Sequence, residues 1–317
     1  MNNGFRVSLA MLKVATIGNQ QSIATAALGD SLVLRALSRA ARTRTSPSSI
    51  SDADVVLLYP DSAPFTSNLL ATATDSLVRQ LFGDSTDLEN LIRRARGIKK
   101  HQRLLAVSPE NLERNPWKTF GNWLRKTTIP RLTFWPRELD PLGFRFPNWW
   151  NDVYWPDLPP KAPAASTRYG AYLELERLCE PQAVADQSLR RNAAVVVTRH
   201  QDFPRREILN VIRETIDVDV VVGCPAGSKA DLIRNYRFYV ATENSLGYGY
   251  ATEKVPEARQ AGCIPIGYAP SPMIDFEPDS YFFLPPRELS SELPPLLRTP
   301  PTLSPLIEYL EERLNIG

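Results

Sequence analysis

The stretch Tyr236-Arg-Phe-Tyr-Val-Ala-Thr-Glu-Asn-Ser-Leu-Gly-Tyr-Gly-Tyr-Ala-Thr-Glu-Lys254 decides how the chain is read. Tyr236 to Thr242 is a short apolar run rich in aromatic and β-branched residues, which predicts a strand. It runs into the polar triplet Glu243-Asn244-Ser245 and a loop holding Gly247 and Gly249. A helix is expected over Glu253–Ala261, with Thr252 as its N-cap and Gly262 as its stop, followed by a strand over Cys263–Tyr268. A strand, a helix and a second strand in this order make a parallel pair with a helical crossover.

The same alternation extends outward from there. Upstream, Ala193–Thr198 and Val218–Val222 read as strands, with Arg205–Thr215 and Ser228–Arg234 as the helices between them. Downstream, Leu303–Leu314 is an amphipathic helix. In the first hundred residues, Leu12–Ile17, Asp54–Tyr59 and Arg103–Val107 read as buried strands. Helices are expected over Ser22–Arg42 and Ser62–Phe82, and a third opens at the capping box Thr86-Asp-Leu-Glu89 and ends at Gly97. The region from Pro109 to Trp155 is different, because it contains all six tryptophans. The proline-rich segment Trp155–Pro163 then reads as a stiff linker. The expected fold class is therefore α/β, with two Rossmann-like domains whose parallel sheets face a central cleft. The domains span residues 1–160 and 161–302, and a C-terminal helix, 303–317, packs back on the first domain. No Gly-x-Gly-x-x-Gly follows the first strand, which places a nicotinamide oxidoreductase far down the order of readings.

Composition narrows the function. With 37 Lys+Arg against 35 Asp+Glu in 317 residues, the net charge of +2 gives no support to a nucleic-acid partner. Three well-separated cysteines and two histidines offer neither a zinc cage nor a disulfide framework, and fit reduced thiols in the cytoplasm. Lys13 interrupts the apolar stretch near the N-terminus, which argues against a signal peptide, and no apolar run reaches the ~18 residues of a membrane span.

The chemistry points to the helix that starts near Lys254. A helix N-terminus suits phosphate oxygens, a lysine there adds full charge, and Glu253 can accept bonds from ribose hydroxyls. Lysine is scarce in this chain, eight against 29 arginines, and Lys254 is the sole lysine after residue 230. A retained lysine in so arginine-biased a chain suggests that a compact ammonium is needed. An ordinary exposed helix start is the plainer alternative.

Tyr236–Phe238, Glu243-Asn244-Ser245, Gly247-Tyr-Gly-Tyr250, Thr252-Glu-Lys254 and Ile264-Pro-Ile266 together resemble the signature of glycosyltransferase family 10, the α-1,3/4-fucosyltransferases. Asp275-Phe276-Glu-Pro278-Asp-Ser280 resembles the block that follows it, and Val195-Val-Val-Thr198 with Arg205 resembles an upstream strand–loop–arginine block. The resemblance implies a GT-B fold, a GDP-fucose donor in the C-terminal domain, an acceptor in the N-terminal domain and inversion at the anomeric carbon. Carried over by position, Arg205 and Lys254 hold the diphosphate and stabilise the leaving GDP. Tyr250 and Glu253 contact nucleoside or sugar, and Glu243 and Asn244 shape the same pocket. Glu110, in Ser108-Pro-Glu110-Asn111, falls on the glutamate proposed as general base, although Pro109 replaces the usual glycine; Glu138 is the substitute. Without a membrane anchor the chain resembles the soluble bacterial type.

The two cations imply transfer without metal or other cofactor. The Asp-x-Asp pairs at Asp52/Asp54 and Asp217/Asp219 fall at the starts of strands, the wrong end for a metal-bound donor. Trp149, Trp150 and Trp155 could line an acceptor platform, but at least four of the six tryptophans are expected in cores or domain packing. Six cations between Arg93 and Arg103 read first as a solvated helix end, and second as a peripheral contact with an anionic inner-membrane surface that presents a lipid-linked glycan. Another GDP-sugar, or a non-catalytic glycan- or GDP-binding relative, remains the competing reading. The acceptor, a GlcNAc or LacNAc type of oligosaccharide, is not encoded in these motifs.

Overall fold

The computed structural model describes residues 11–17, 31–59, 89–90, 93–94, 96–108, 111–114, 117–158, 169–183, 190–198, 205–225, 227–267, 274–283 and 292–316. The helix expected over Ser62–Phe82 and the candidate base Glu110 lie outside these residues. So do most of the linker, the first part of the Ser22–Arg42 helix and the capping box Thr86-Asp-Leu up to Leu88.

The first sheet contains β1 (Leu12–Ile17), β2 (Thr45–Pro47), β3 (Val55–Leu58), β4 (Arg103–Val107), β5 (Arg131–Thr133) and β6 (Gly143–Arg145). All its pairings are parallel, in the order β2-β1-β3-β4-β5-β6. A short antiparallel pair, β7 (Gln182–Ala183) with β13 (Glu292–Leu293), lies apart from both main sheets. The second main sheet contains β8 (Arg191–Val197), β9 (Val218–Val221), β10 (Tyr236–Val240), β11 (Ile264–Gly267) and β12 (Phe282–Phe283). It is also parallel, in the order β12-β11-β10-β8-β9. Among the described residues the helices include α1 (Leu32–Ala40), α2 (Lys118–Leu124), α3 (Leu175–Leu178), α4 (Arg205–Arg213), α5 (Lys229–Ile233), α6 (Lys254–Gln260) and α7 (Ser304–Leu314).

Period-two alternation distributes the strand residues between layers. Val14, Val55, Leu57, Leu105 and Val107 enter one core with α1 and α7, while Ala15, Ile17, Val56, Leu58, Leu104 and Ala106 pack on the α2 side. In the second sheet, Val195 and Tyr239 face Val255 and Ala258 of α6, while Ala194, Val196, Phe238 and Val240 face Ile208, Leu209 and Ile212 of α4. Each fully buried side chain of this kind contributes about 1.5–3 kcal/mol. The first of these cores is continuous between the sheets and takes in Trp149, Trp155, Leu173 and Leu178. Trp123, Trp135, Trp149 and Trp155 are buried, so Trp149 and Trp155 serve packing and offer no open acceptor platform. Trp155 and Leu158, the start of the expected linker, are part of that core.

The tryptophan-rich region holds two strands that its composition does not announce. Arg131, at the start of β5, is buried and forked onto Asp140, with Nη2–Oδ1 at 2.6 Å and Nε–Oδ1 at 2.9 Å. Its Nη1 donates to the carbonyls of Leu124 and Thr127. Helix α7 buries Leu306, Leu310 and Leu314 at four-residue spacing and lies against α1. The Tyr309 hydroxyl accepts from the Arg131 N–H at 2.9 Å, and Arg103 Nη2 donates to the Asn315 carbonyl at 2.9 Å.

In both sheets the chain reverses direction beside its first strand. It passes from β1 to β2 on one side and β3 on the other, and from β8 to β9 on one side and β10 on the other. Crevices of open parallel sheets form at the carboxyl ends of the strands at such switch points.

Candidate active site

Thr198, which follows β8, and Thr242, which follows β10, lie together at the switch point of the second sheet. Arg205, at the start of α4, reaches back to both: Nη1 donates to Thr198 Oγ1, and Nη2 donates to the Thr242 carbonyl at 3.1 Å. The side chain is buried, which pulls the guanidinium down from its ordinary value, while the charges of Glu243 and Glu253 push the other way.

Glu243 is 2% exposed and needs partners to carry charge there. Its Oε1 accepts from the Thr252 N–H at 2.8 Å, and the Thr252 hydroxyl lies 2.9 Å from both carboxylate oxygens. Lys254 Nζ lies 2.7 Å from Glu243 Oε2 and 2.5 Å from Thr252 Oγ1. Thr252 is therefore committed to Glu243 and does not cap the helix; Glu253 occupies the N-cap position, without a side-chain cap bond. A local capping preference gives way to the demand of a buried carboxylate.

Lys254 keeps 15% of its side chain exposed and lies 3.8 Å from Glu253 Oε1. Burial works to lower its pKa, but Glu243 and Glu253 outweigh burial and leave it above the ordinary lysine value. Glu253 is the converse: burial would raise the carboxyl, yet Lys254 and Lys229 hold it down at about 2. An ammonium has three N–H donors. Two are engaged by Glu243 and Thr252, which leaves one for an anionic oxygen in the crevice. Behind this layer Lys229 pairs with Glu257, with side-chain exposures of 4% and 3%, and ties α5 to α6.

The structure thus brings together Arg205, Glu243, Glu253 and Lys254. Asn244 is exposed on the same loop. Tyr250 is placed otherwise: it is buried, its ring meets Phe134 edge-on at 5.3 Å, and it belongs to the core under the first sheet. Glu138 is exposed beyond β5. Among the described residues, no three His, Cys, Asp or Glu side chains converge as a metal-ligand set.

Residues 187–282 match the sequence profile described as glycosyltransferase family 10 (fucosyltransferase) C-term. This segment is a family 10 glycosyltransferase domain. The family 10 segment covers β8 to β12 and every member of the cluster just described. The whole structure is similar to a crystal structure of an α1,3-fucosyltransferase with GDP-fucose, with a TM-score of 0.56 and 16% identity, covering 99% of this chain and 93% of that one. A second α1,3-fucosyltransferase crystal structure gives a TM-score of 0.52 at 18% identity, over 89% of this chain and 75% of that one. These likenesses are of fold, and the fold is GT-B: two Rossmann-like units with parallel sheets. No curated protein matches the sequence.

Thr198 and Thr242, which orient Arg205, went unnoticed as site residues in the sequence. Their signal was positional, since each ends an apolar strand at the switch point. The pair Lys229–Glu257 carried no local signal, because its members lie 28 positions apart. Of the basic run, Arg93 pairs with Glu89 at 2.9 Å, Lys99 Nζ donates to the Ser51 carbonyl and Arg103 holds Asn315. Among the described residues, no helix is long and apolar enough to cross a membrane.

Proposed function

We propose that the protein is an inverting, metal-independent fucosyltransferase that moves L-fucose from GDP-β-L-fucose to a hydroxyl of a glycan acceptor, forming an α-1,3 or α-1,4 link to a GlcNAc-type sugar. The observation that carries this reading is the paired placement of Arg205 and Lys254 at the switch point of a family 10 domain. A diphosphate leaving group needs positive charge aimed at it as the bond breaks. Both cations are held by buried neighbours before any ligand arrives, so little reorganisation is required. They do the work a metal would otherwise do, and a relative of the same fold binds GDP-fucose.

In the reaction, a carboxylate base, assigned to Glu110, takes the proton of the acceptor hydroxyl. The oxygen attacks the anomeric carbon from the face opposite the phosphate, the carbon–oxygen bond to GDP breaks, and GDP departs with the electron pair. Arg205 and Lys254 receive the growing charge on the β-phosphate, and the β-linked donor yields an α-linked product. Glu253 is assigned to the nucleoside or sugar hydroxyls and Asn244 to the wall of the same pocket, while Glu243, paired with Lys254, sets the position of that lysine.

The test is transfer of labelled fucose from GDP-fucose to a panel of GlcNAc-terminated oligosaccharides and lipid-linked glycans in EDTA, with GDP-mannose as competitor. Labelled product from GDP-fucose alone is expected. Product that appears only with added divalent metal, or from GDP-mannose instead, contradicts the reading.

A further inference from the structure

The loop that links Glu243 to Lys254 does not rest on its own domain alone. Asn111, which follows β4 of the first sheet, donates from Nδ2 to Ser245 Oγ at 3.1 Å and to the Leu246 carbonyl at 3.0 Å. Its Oδ1 accepts the Glu113 N–H at 2.9 Å, which fixes the amide's orientation. Arg145, the last residue of β6, donates to both oxygens of Asp275 at 3.0 and 2.7 Å and to the Gly249 carbonyl at 2.9 Å. It also donates to the Phe134 carbonyl of its own domain.

Both glycines of the loop are shaped by these two side chains. A Cβ on Gly247 would lie 2.8 Å from both terminal atoms of the Asn111 amide. Gly249 has φ +79°, and a Cβ there would lie 2.9 Å from Arg145 Nη1. The loop is therefore gripped at its two ends from the opposite domain, by Asn111 beyond β4 and by Arg145 at the end of β6, with Tyr250 packed on Phe134 beside the second grip.

We propose that Asn111 and Arg145 are positioning residues that hold the 244–250 loop at a fixed separation from the first domain, and so set the distance between donor and acceptor hydroxyl. The proposal rests on the transferase reading above. Neither residue need touch substrate; they act through the loop. Misplacement of about 1 Å at a reacting centre costs on the order of 100-fold in rate. The donor cations sit in the second domain, so donor affinity should be spared.

The experiment is a double-mutant cycle on kcat for transfer, with GDP-fucose Kd measured alongside. Asn111→Ala loses the grip, and Gly247→Ala drives a methyl into it; each should lower kcat by about 100-fold while Kd stays within about twofold. In Asn111→Ala/Gly247→Ala the steric conflict is gone, so the deficit should match that of Asn111→Ala alone. Three results would overturn the proposal: kcat unchanged in Asn111→Ala, deficits that multiply to about 10⁴, or Kd rising as far as kcat falls. If the wild-type protein neither binds GDP-fucose nor transfers, the transferase reading fails, and the grip is judged by hydrogen exchange of residues 244–250. Faster exchange in Asn111→Ala would then support the grip, and unchanged exchange would overturn it.

Discussion

At the carboxyl end of the second sheet, Arg205, Lys254, Glu243 and Glu253 form one cluster of alternating charge. At the corresponding end of the first sheet, Tyr59, Ser108 and Phe134 follow their strands uncharged, and the one strand-end cation described there, Arg145, is paired with Asp275. The two crevices share a topology and differ in what they can bind. A nucleoside diphosphate requires cations, whereas a neutral glycan hydroxyl requires one base and hydrogen-bonding groups. The contrast teaches that the sheet supplies the crevice and the residues after each strand supply its chemistry.

The sharpest way to break this contrast is to remove the one carboxylate assigned to the first domain. Glu110→Gln should lower kcat by about 10²–10⁴ and leave GDP affinity unchanged in calorimetry. An unchanged kcat would transfer the role elsewhere, with Glu138 next in line. A structural counterpart comes next in size. Arg131→Ala leaves Asp140 buried without its fork and should cost about 3–5 kcal/mol of stability, read by denaturant unfolding, with GDP affinity preserved in protein that remains folded. In the second domain, Lys254→Ala should weaken GDP-fucose binding by about 2–5 kcal/mol; a loss below about 1 kcal/mol would mark the lysine as a solvated surface charge.

The smallest effect is in pH. Glu253 is held at about 2, below its ordinary value of 4.5, so its contribution to stability is present above about pH 4.5 and is lost as pH falls towards 2. Acid unfolding followed by circular dichroism should show Glu253→Gln losing less stability than wild type across that window. Parallel curves would mean that the carboxylate is not held by Lys254 and Lys229.

Most of the architecture was legible in the sequence, because seven of the strands are apolar runs bounded by helical segments. The exceptions were β2, β5, β6, β7, β12 and β13. Each is only two or three residues long, and β5 begins with an arginine that is tolerable only because Asp140 and two carbonyls complete its bonds. The charged cluster was legible because three of its members, Glu243, Glu253 and Lys254, crowd into one strand–loop–helix unit, while Arg205 stands after the strand before it in the sheet. What could not be read were contacts between distant residues: the role of Thr252 as partner of Glu243, the packing of Tyr250 on Phe134, and the reach of Asn111 over 134 positions to Ser245. Local preference predicts a cap or a strand; burial and pairing decide where such side chains finally lie.

On the proposed function, the crevice of the second sheet holds a GDP-sugar through Arg205 and Lys254 without metal. Calorimetric titration of GDP-fucose, GDP-mannose and UDP-galactose into the protein with EDTA present tests it most directly. Binding of GDP-fucose in preference to the other two is expected, weakened by about 2–5 kcal/mol in Lys254→Ala. Absence of binding until a divalent metal is restored, or affinity unaltered by Lys254→Ala, would contradict it.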